Sequence, residues 1–441
     1  MSAATRHGLA LALSFLAGVS LTAMHTVWAE KETSPENKLP LDELRTFTGV
    51  LDAIKQDYVE PVKDHDLLEN AIRGMLSNLD PHSAFLDAEA FQDLQIGTSG
   101  EFGGLGIEVG QENGFLKVVA PIDDTPAQRA GIRAGDLIIR LDDLSVKGMS
   151  LSDAIQRMRG KPNTAITLTI VREGMRKPLK IKLIREVIQV KSVKSRLLEP
   201  GFGYLRITQF QAKTAQNLRQ ALQEVEQQNK GPLRGVVLDL RNNPGGVLNG
   251  AVDVADDFLE EGAIVQTKGR GNGSDQSFKA TPGDLLKGAP LVVLVNGGSA
   301  SASEIVAGAL QDHHRALILG ERTFGKGSVQ TILPLGNGTA VKLTTARYYT
   351  PNGRSIQAEG IEPDIKLKPF KVATGADADS DTVKEADLSG HLRNDGKIPT
   401  DSAPDARLIG AEGDPAQSDY PLYEALNLLK GMTLLQTRKN G

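Results

Sequence analysis

Cysteine is absent from the 441-residue sequence. This excludes disulfides, thiol catalysis and lipid attachment at a cysteine. A basic surplus is missing too: the net charge is −5, which gives no footing for nucleic-acid binding. Beyond the first thirty or so residues, no stretch is long and apolar enough to span a bilayer. What remains is ordinary globular composition, 40% hydrophobic and 24% charged, over a length that exceeds one hydrophobic core and implies several domains.

The one long apolar run lies at the start. Residues Gly8 to Thr22 follow Arg6 and His7; the run ends in small and polar residues, then Val27-Trp28-Ala29, which favours cleavage after Ala29. The pattern predicts a signal peptide over 1–29, hence export to a bacterial periplasm. Leu44, Phe47, Leu51 and Ile54 then recur at helical spacing, as do Leu68, Ile72, Met75 and Leu76. They predict helices over 42–58 and 66–79, and a short one follows over 88–95. Asp80-Pro81-His82-Ser83 closes the second helix, and His82 reads as a turn residue.

Two blocks carry chemistry. Leu291 to Val295 is a continuous apolar run, which predicts a buried strand. It enters a helix through Asn296-Gly297-Gly298-Ser299-Ala300-Ser301-Ala302-Ser303-Glu304. Small residues at such a junction point backbone N–H groups at one spot, where an oxyanion can be held. The second block is Thr323-Phe324-Gly325-Lys326-Gly327-Ser328-Val329-Gln330. A lysine set between glycines in apolar surroundings loses its charge easily and can act as a base. Serine and lysine together are a known nucleophile–base pair. The residues alone do not choose among Ser299, Ser301 and Ser303.

These blocks resemble the carboxyl-terminal processing protease family, whose core is similar to the ClpP/crotonase fold. The resemblance implies Ser301 as nucleophile, Lys326 as general base and Gln330 as the residue that orients the lysine. A neutral amide suits that place, because a carboxylate would hold the lysine charged. The loop Arg241-Asn242-Asn243-Pro244-Gly245-Gly246 is then one wall of the oxyanion hole. Its donors are expected to be N–H of Gly246, with Gly245 as the alternative, and N–H of Ala302. No metal or other cofactor is needed. The trypsin-type block Gly-Asn-Ser-Gly-Gly does not occur.

Residues 97–185 resemble a PDZ domain. Gly104, Leu105, Gly106 and Ile107 would capture the terminal carboxylate of a peptide, and the strand edge would pair with its backbone. Arg159, at the end of the expected groove helix, is taken as regulatory: a contact with the protease core that reports occupancy of the groove. The fold class is therefore α/β, a ClpP/crotonase-like protease core with an inserted PDZ domain and helical segments at both ends. The expected divisions are a signal peptide over 1–29, a helical dimerisation region over 30–96 and the PDZ domain over 97–185. The Ser–Lys core follows over 186–369, then a flexible segment with a terminal helix over 370–441.

Within the core, residues 268–288 read as a mobile glycine-rich loop, and 370–418 as largely disordered or loosely attached. Partners implied are protein substrates with free C-termini, an adaptor protein and further copies of the chain. Two rivals from other classes are a non-catalytic PDZ scaffold on a degenerate core and an acyl-CoA enzyme on the related crotonase core. Export and the PDZ domain speak against the second.

Overall fold

The computed structural model describes residues 39–112, 114–271, 273, 275–367, 383–392 and 419–440. The leader expected over 1–29 and most of 370–418 lie outside the described residues. The chain divides into two units after Ala71. In the first, helix α1 (Leu41–Asp57) buries none of its residues. Leu44, Phe47 and Val50 stand exposed on it. It ends before Pro61, which cannot continue a helix, and Lys55 pairs with Asp64 at 3.0 Å. Helix α2 (Asp64–Ser77) starts there and runs across the division.

The second unit begins with a tight turn. The Asp80 carboxylate accepts from the N–H groups of His82 and Ser83 and from the Ser83 hydroxyl, as short aspartates do in turns. Strand β1 (Ala84–Leu86) and helix α3 (Ala88–Ser99) follow. Asp87 caps α3 by accepting from Ala90 N–H. Strand β2 (Glu101–Gly104) leads into the PDZ region.

That region holds β3 (Ile107–Glu112), β4 (Phe115–Pro121), helix α4 (Pro126–Arg129), β5 (Leu137–Leu141), β6 (Leu144–Ser145), helix α5 (Leu151–Met158), β7 (Ala165–Val171) and β8 (Leu179–Ile184). The sheet order is β3-β4-β5-β7-β8, so β3 is an edge. Its core gathers Leu105, Leu116, Ile138, Ala154, Met158, Ile166, Leu168 and Ile170. Strand β9 (Glu186–Gln189) pairs with β2 and closes the insertion.

The remaining elements are β10 (Val193–Glu199), β11 (Phe202–Ile207), helix α6 (Thr214–Asn229), β12 (Gly235–Asp239), helix α7 (Leu248–Asp256), β13 (Ala263–Gly269), β14 (Gln276–Lys279), β15 (Leu291–Val295), helix α8 (Ala302–Asp312), β16 (Leu317–Gly320), β17 (Ser328–Pro334), β18 (Ala340–Tyr349), β19 (Ile365–Lys366) and helix α9 (Tyr420–Asn440). The central sheet runs β10-β11-β12-β15-β16-β19, parallel except for β10. Every residue of β12 and β15 is buried, because helices cover both faces. On one face Leu218, Leu222, Val254, Ile305 and Leu310 of α6, α7 and α8 meet Leu205, Val236, Leu238 and Val293. On the other, Leu422, Ala425 and Leu429 of α9 meet Tyr204, Val237, Val292, Leu294 and Leu319.

Two stretches differ from expectation. The glycine-rich stretch after β13 is pinned: β14 pairs with β13, and the Asp284 carboxylate accepts from the N–H groups of Leu286 and Gly288. Gln-Ser-Phe-Lys is too polar to read as a strand, and its pairing comes from the neighbour. Within the stretch read as loosely attached, a short 3-10 turn (Glu385–Asp387) carries a wholly buried Glu385.

Candidate active site

Parallel strands place their following loops along one edge, where α/β proteins build their sites. Here β12 leads to Asn242–Gly246, β15 to Asn296–Ser301 and β16 to Glu321–Gly327. The three loops are stitched together. Asn243 O accepts from Ala300 N–H at 3.0 Å and from the Ser303 hydroxyl at 2.9 Å. Leu240 O accepts from the Ser299 hydroxyl at 2.8 Å. Ser299 and Ser303, both fully buried, thus spend their hydroxyl protons on backbone carbonyls.

Ser301 is different. It sits at the head of α8 with φ +54°, a left-handed conformation that costs a non-glycine residue about 1–3 kcal/mol. Its hydroxyl faces the phenol of Tyr348, whose pKa burial pushes up to about 12.

The clasp between this turn and the lysine loop is Glu304, which the sequence reading passed over. One carboxylate oxygen accepts from Ser301 N–H at 2.7 Å and Lys326 N–H at 2.9 Å. The other accepts from Gly325 N–H at 2.7 Å and the Thr323 hydroxyl at 2.5 Å. Four donors favour the ionised form, but complete burial outweighs them and pushes the carboxyl up to about 7. The sequence did carry a sign of it: Ser301-Ala302-Ser303-Glu304 has capping-box spacing.

Lys326 is half-buried. Burial is the largest cause holding its amine below the ordinary lysine value, and the nearby Lys342 charge adds to it. Glu385, Glu304 and Asp80 pull the other way. Its amine and the Ser301 hydroxyl are not hydrogen-bonded to each other in this conformation. Gln330 donates through Nε2 to the hydroxyls of Ser328 at 3.0 Å and Thr344 at 3.3 Å.

The glycine loop separates its two candidates. Gly245 N–H donates to the Asn243 side chain at 2.9 Å, whereas the N–H groups of Gly246 and Ala302 have no partner among the described residues. Gly245 also packs flush against the turn that holds Ser301. With φ +97°, an added Cβ there would meet Ala300 O at 2.7 Å, Ser301 Cβ at 2.8 Å and Ala302 N at 2.9 Å.

In the PDZ region, Gly104 ends β2, Leu105 and Gly106 form the turn and Ile107 opens β3. The N–H groups of Leu105 and Gly106 donate to nothing among the described residues. Arg159 reaches Asp93 of α3 at 2.6 Å and lies over the Phe102 ring at 5.4 Å. Its side-chain partners therefore lie on α3 and β2, ahead of the PDZ sheet. Ser152, at the other end of α5, donates to Glu89 of α3 at 2.7 Å. No helix among the described residues is long and apolar enough to cross a membrane.

Comparison with known proteins agrees with this architecture. Residues 201–367 match the model of peptidase family S41, residues 117–172 a PDZ domain and residues 12–90 the activating protease CtpB N-terminal domain. A carboxy-terminal-processing protease of Bartonella bacilliformis is 48% identical over 423 residues, covering 95% of each chain. A carboxyl-terminal-processing protease of Synechocystis sp. is 38% identical over 382 residues, covering 82% of this chain and 88% of its own. Among solved structures, a photosystem II D1 C-terminal processing protease is 34% identical, with 73% of this chain and 86% of that one covered and a TM-score of 0.42. With near-complete coverage at close to half identity, the chain belongs to the carboxy-terminal-processing proteases of peptidase family S41.

Proposed function

We propose that this protease is an exported serine endopeptidase acting in the periplasm, with Ser301 as nucleophile and Lys326 as general base. One observation supports this most: a single buried carboxylate, Glu304, holds the backbones of both residues, while the two neighbouring serines have their hydroxyls engaged elsewhere. Neutral Lys326 takes the proton as Ser301 Oγ attacks the peptide carbonyl. The N–H groups of Gly246 and Ala302 receive the oxyanion. The lysine then hands its proton to the leaving amine, and water releases the acyl-enzyme. Gln330, held through its nitrogen, leaves its carbonyl oxygen to accept from the lysine amine.

Substrates are proteins with free C-termini. The unengaged N–H groups of Leu105 and Gly106 receive the terminal carboxylate, and the β3 edge adds the tail as a strand. Arg159 and Ser152 tie the groove helix to α3, so a peptide in the groove acts on the core through α3. The amine and hydroxyl are not hydrogen-bonded to each other in this conformation, and their approach is completed on substrate or adaptor binding. The exposed stripe on α1 serves self-association.

The test is hydrolysis of a protein with an apolar C-terminal tail, measured against pH. Ser301→Ala and Lys326→Ala are expected to abolish cleavage and keep tail binding, and Lys326→Arg to be as inactive as the alanine variant. The base works only when neutral, so the wild-type rate should fall as pH drops below the lowered lysine pKa. A Lys326→Arg enzyme with full activity refutes the assignment.

A further inference from the structure

The base loop has a second anchor, opposite Glu304. Glu385 is wholly buried, yet it comes from a stretch with no apolar pattern. One of its oxygens is 2.6 Å from His82 Nε2, and the other accepts from Gln357 Nε2 at 2.9 Å. Gln357, also fully buried, accepts from Gly327 N–H through its own oxygen at 3.0 Å. Glu385 N–H donates to Phe324 O at 3.2 Å. Residues 324 and 327, on either side of Lys326, are therefore both tied to Glu385, the first by its backbone N–H and the second by its carboxylate through the Gln357 amide.

The approach is close. A Cβ on Gly327 would lie 2.3 Å from Gln357 N, so the loop backbone packs directly against that of Gln357. The turn that presents His82 reaches the other side of the base as well. Asp80 accepts from the Thr344 hydroxyl at 3.0 Å, and that hydroxyl is a partner of Gln330.

A buried carboxylate without partners is strongly unfavourable. Here every bond it makes leads to the lysine loop or to the turn beside it. We propose that Glu385 is a positioning residue for the general base, transmitting the placement of the 80–83 turn through Gln357 to residues 324–327. This rests on reading Lys326 as the base. Charge gives the role a signature of its own. The groups around the lysine amine are Lys342 on β18, Glu304 on α8, Asp80 in the turn and Glu385 in the strap, with His82 beyond. Of these, Glu385 combines a negative charge with loop-holding bonds in one side chain that does not touch Ser301.

Full-length Glu385→Gln and Glu385→Ala proteins, assayed for kcat and KM against pH, test this. Glu385→Gln keeps an oxygen for Gln357 and removes the charge that favours protonated Lys326. The acid limb of kcat/KM is expected to move to lower pH by roughly half a unit or more. Glu385→Ala also loses the anchor, and kcat is expected to fall roughly tenfold or more with KM within about twofold. A Glu385→Gln limb that stays in place or moves to higher pH overturns the proposal, even if the alanine variant is unstable. Ser301→Ala and Lys326→Ala run alongside. If either retains activity, the site assignment itself fails; if both are inactive and the limb is unmoved, the role of Glu385 alone fails.

Discussion

A single methyl group at Gly245 should disable this enzyme while leaving it folded. Three backbone or Cβ atoms of the nucleophile turn lie between 2.7 and 2.9 Å from where the methyl would sit. The φ of +97° adds strain for any residue with a Cβ. Left-handed strain of about 1–2 kcal/mol and overpacking of about 1–3 kcal/mol together amount to roughly 2–5 kcal/mol, within what a domain of about 5–15 kcal/mol tolerates. The relief available is for residues 242–246 to back away from Ser301. That carries Gly246 N–H out of the roughly 2.7–3.1 Å range an oxyanion needs. Loss of one such donor lowers kcat by about 10²–10³. Gly245→Ala should therefore show kcat reduced about a hundredfold, KM within about threefold and a melting temperature lower by roughly 4–20 °C. The assay is steady-state cleavage of a fluorogenic peptide, with thermal melting of the same sample. A variant that melts earlier but turns over within about threefold of wild type refutes the packing argument and the oxyanion assignment together.

Two further perturbations test other joints. The Glu304 carboxyl is pushed from 4.5 up to about 7, so the native state holds a proton there that the unfolded state has released. Stability should fall as pH rises from about 4.5 to about 7, by about 3 kcal/mol for 2.5 pH units at 1.36 kcal/mol each. Denaturant melts at pH 5 and pH 8 should show this loss in wild type and not in Glu304→Gln, whose kcat should also fall; identical pH profiles contradict it. Asp419 grips Arg241, the residue before the 242–246 loop, through two bonds of 2.7 and 2.8 Å. Asp419→Ala should destabilise by about 1–3 kcal/mol, and the wild-type contribution should fade as pH falls through 3.8 and below, since the arginine holds that carboxyl below its usual value. A denaturant midpoint unchanged at neutral pH excludes the tether.

The parts legible in the sequence are those where one short segment decides the outcome. Leu291–Val295 announced a strand buried on both faces because no residue in it is polar. The glycine and serine run after it announced the turn. Glu304 went unread although its capping-box spacing was present, because its importance lies in Gly325 and Lys326, which reach it only through the fold. Which of Gly245 and Gly246 keeps a free N–H was closed to sequence for the same reason: it turns on where the Asn243 side chain points. Glu385 was hidden by its neighbours, whose composition describes a solvated stretch while the one buried carboxylate is held by residues 28 and 303 positions away. Pairwise bonds across such separations leave no local period to read.

Helix α9 has a practical consequence. Its Leu422, Ala425 and Leu429 lie over Val237, Val292, Leu294 and Leu319, so trimming the chain ahead of residue 419 for expression would strip a greasy platform bare. Such a shortened protein should precipitate or clump, and its silence in an assay would say nothing about the chemistry at the strand ends.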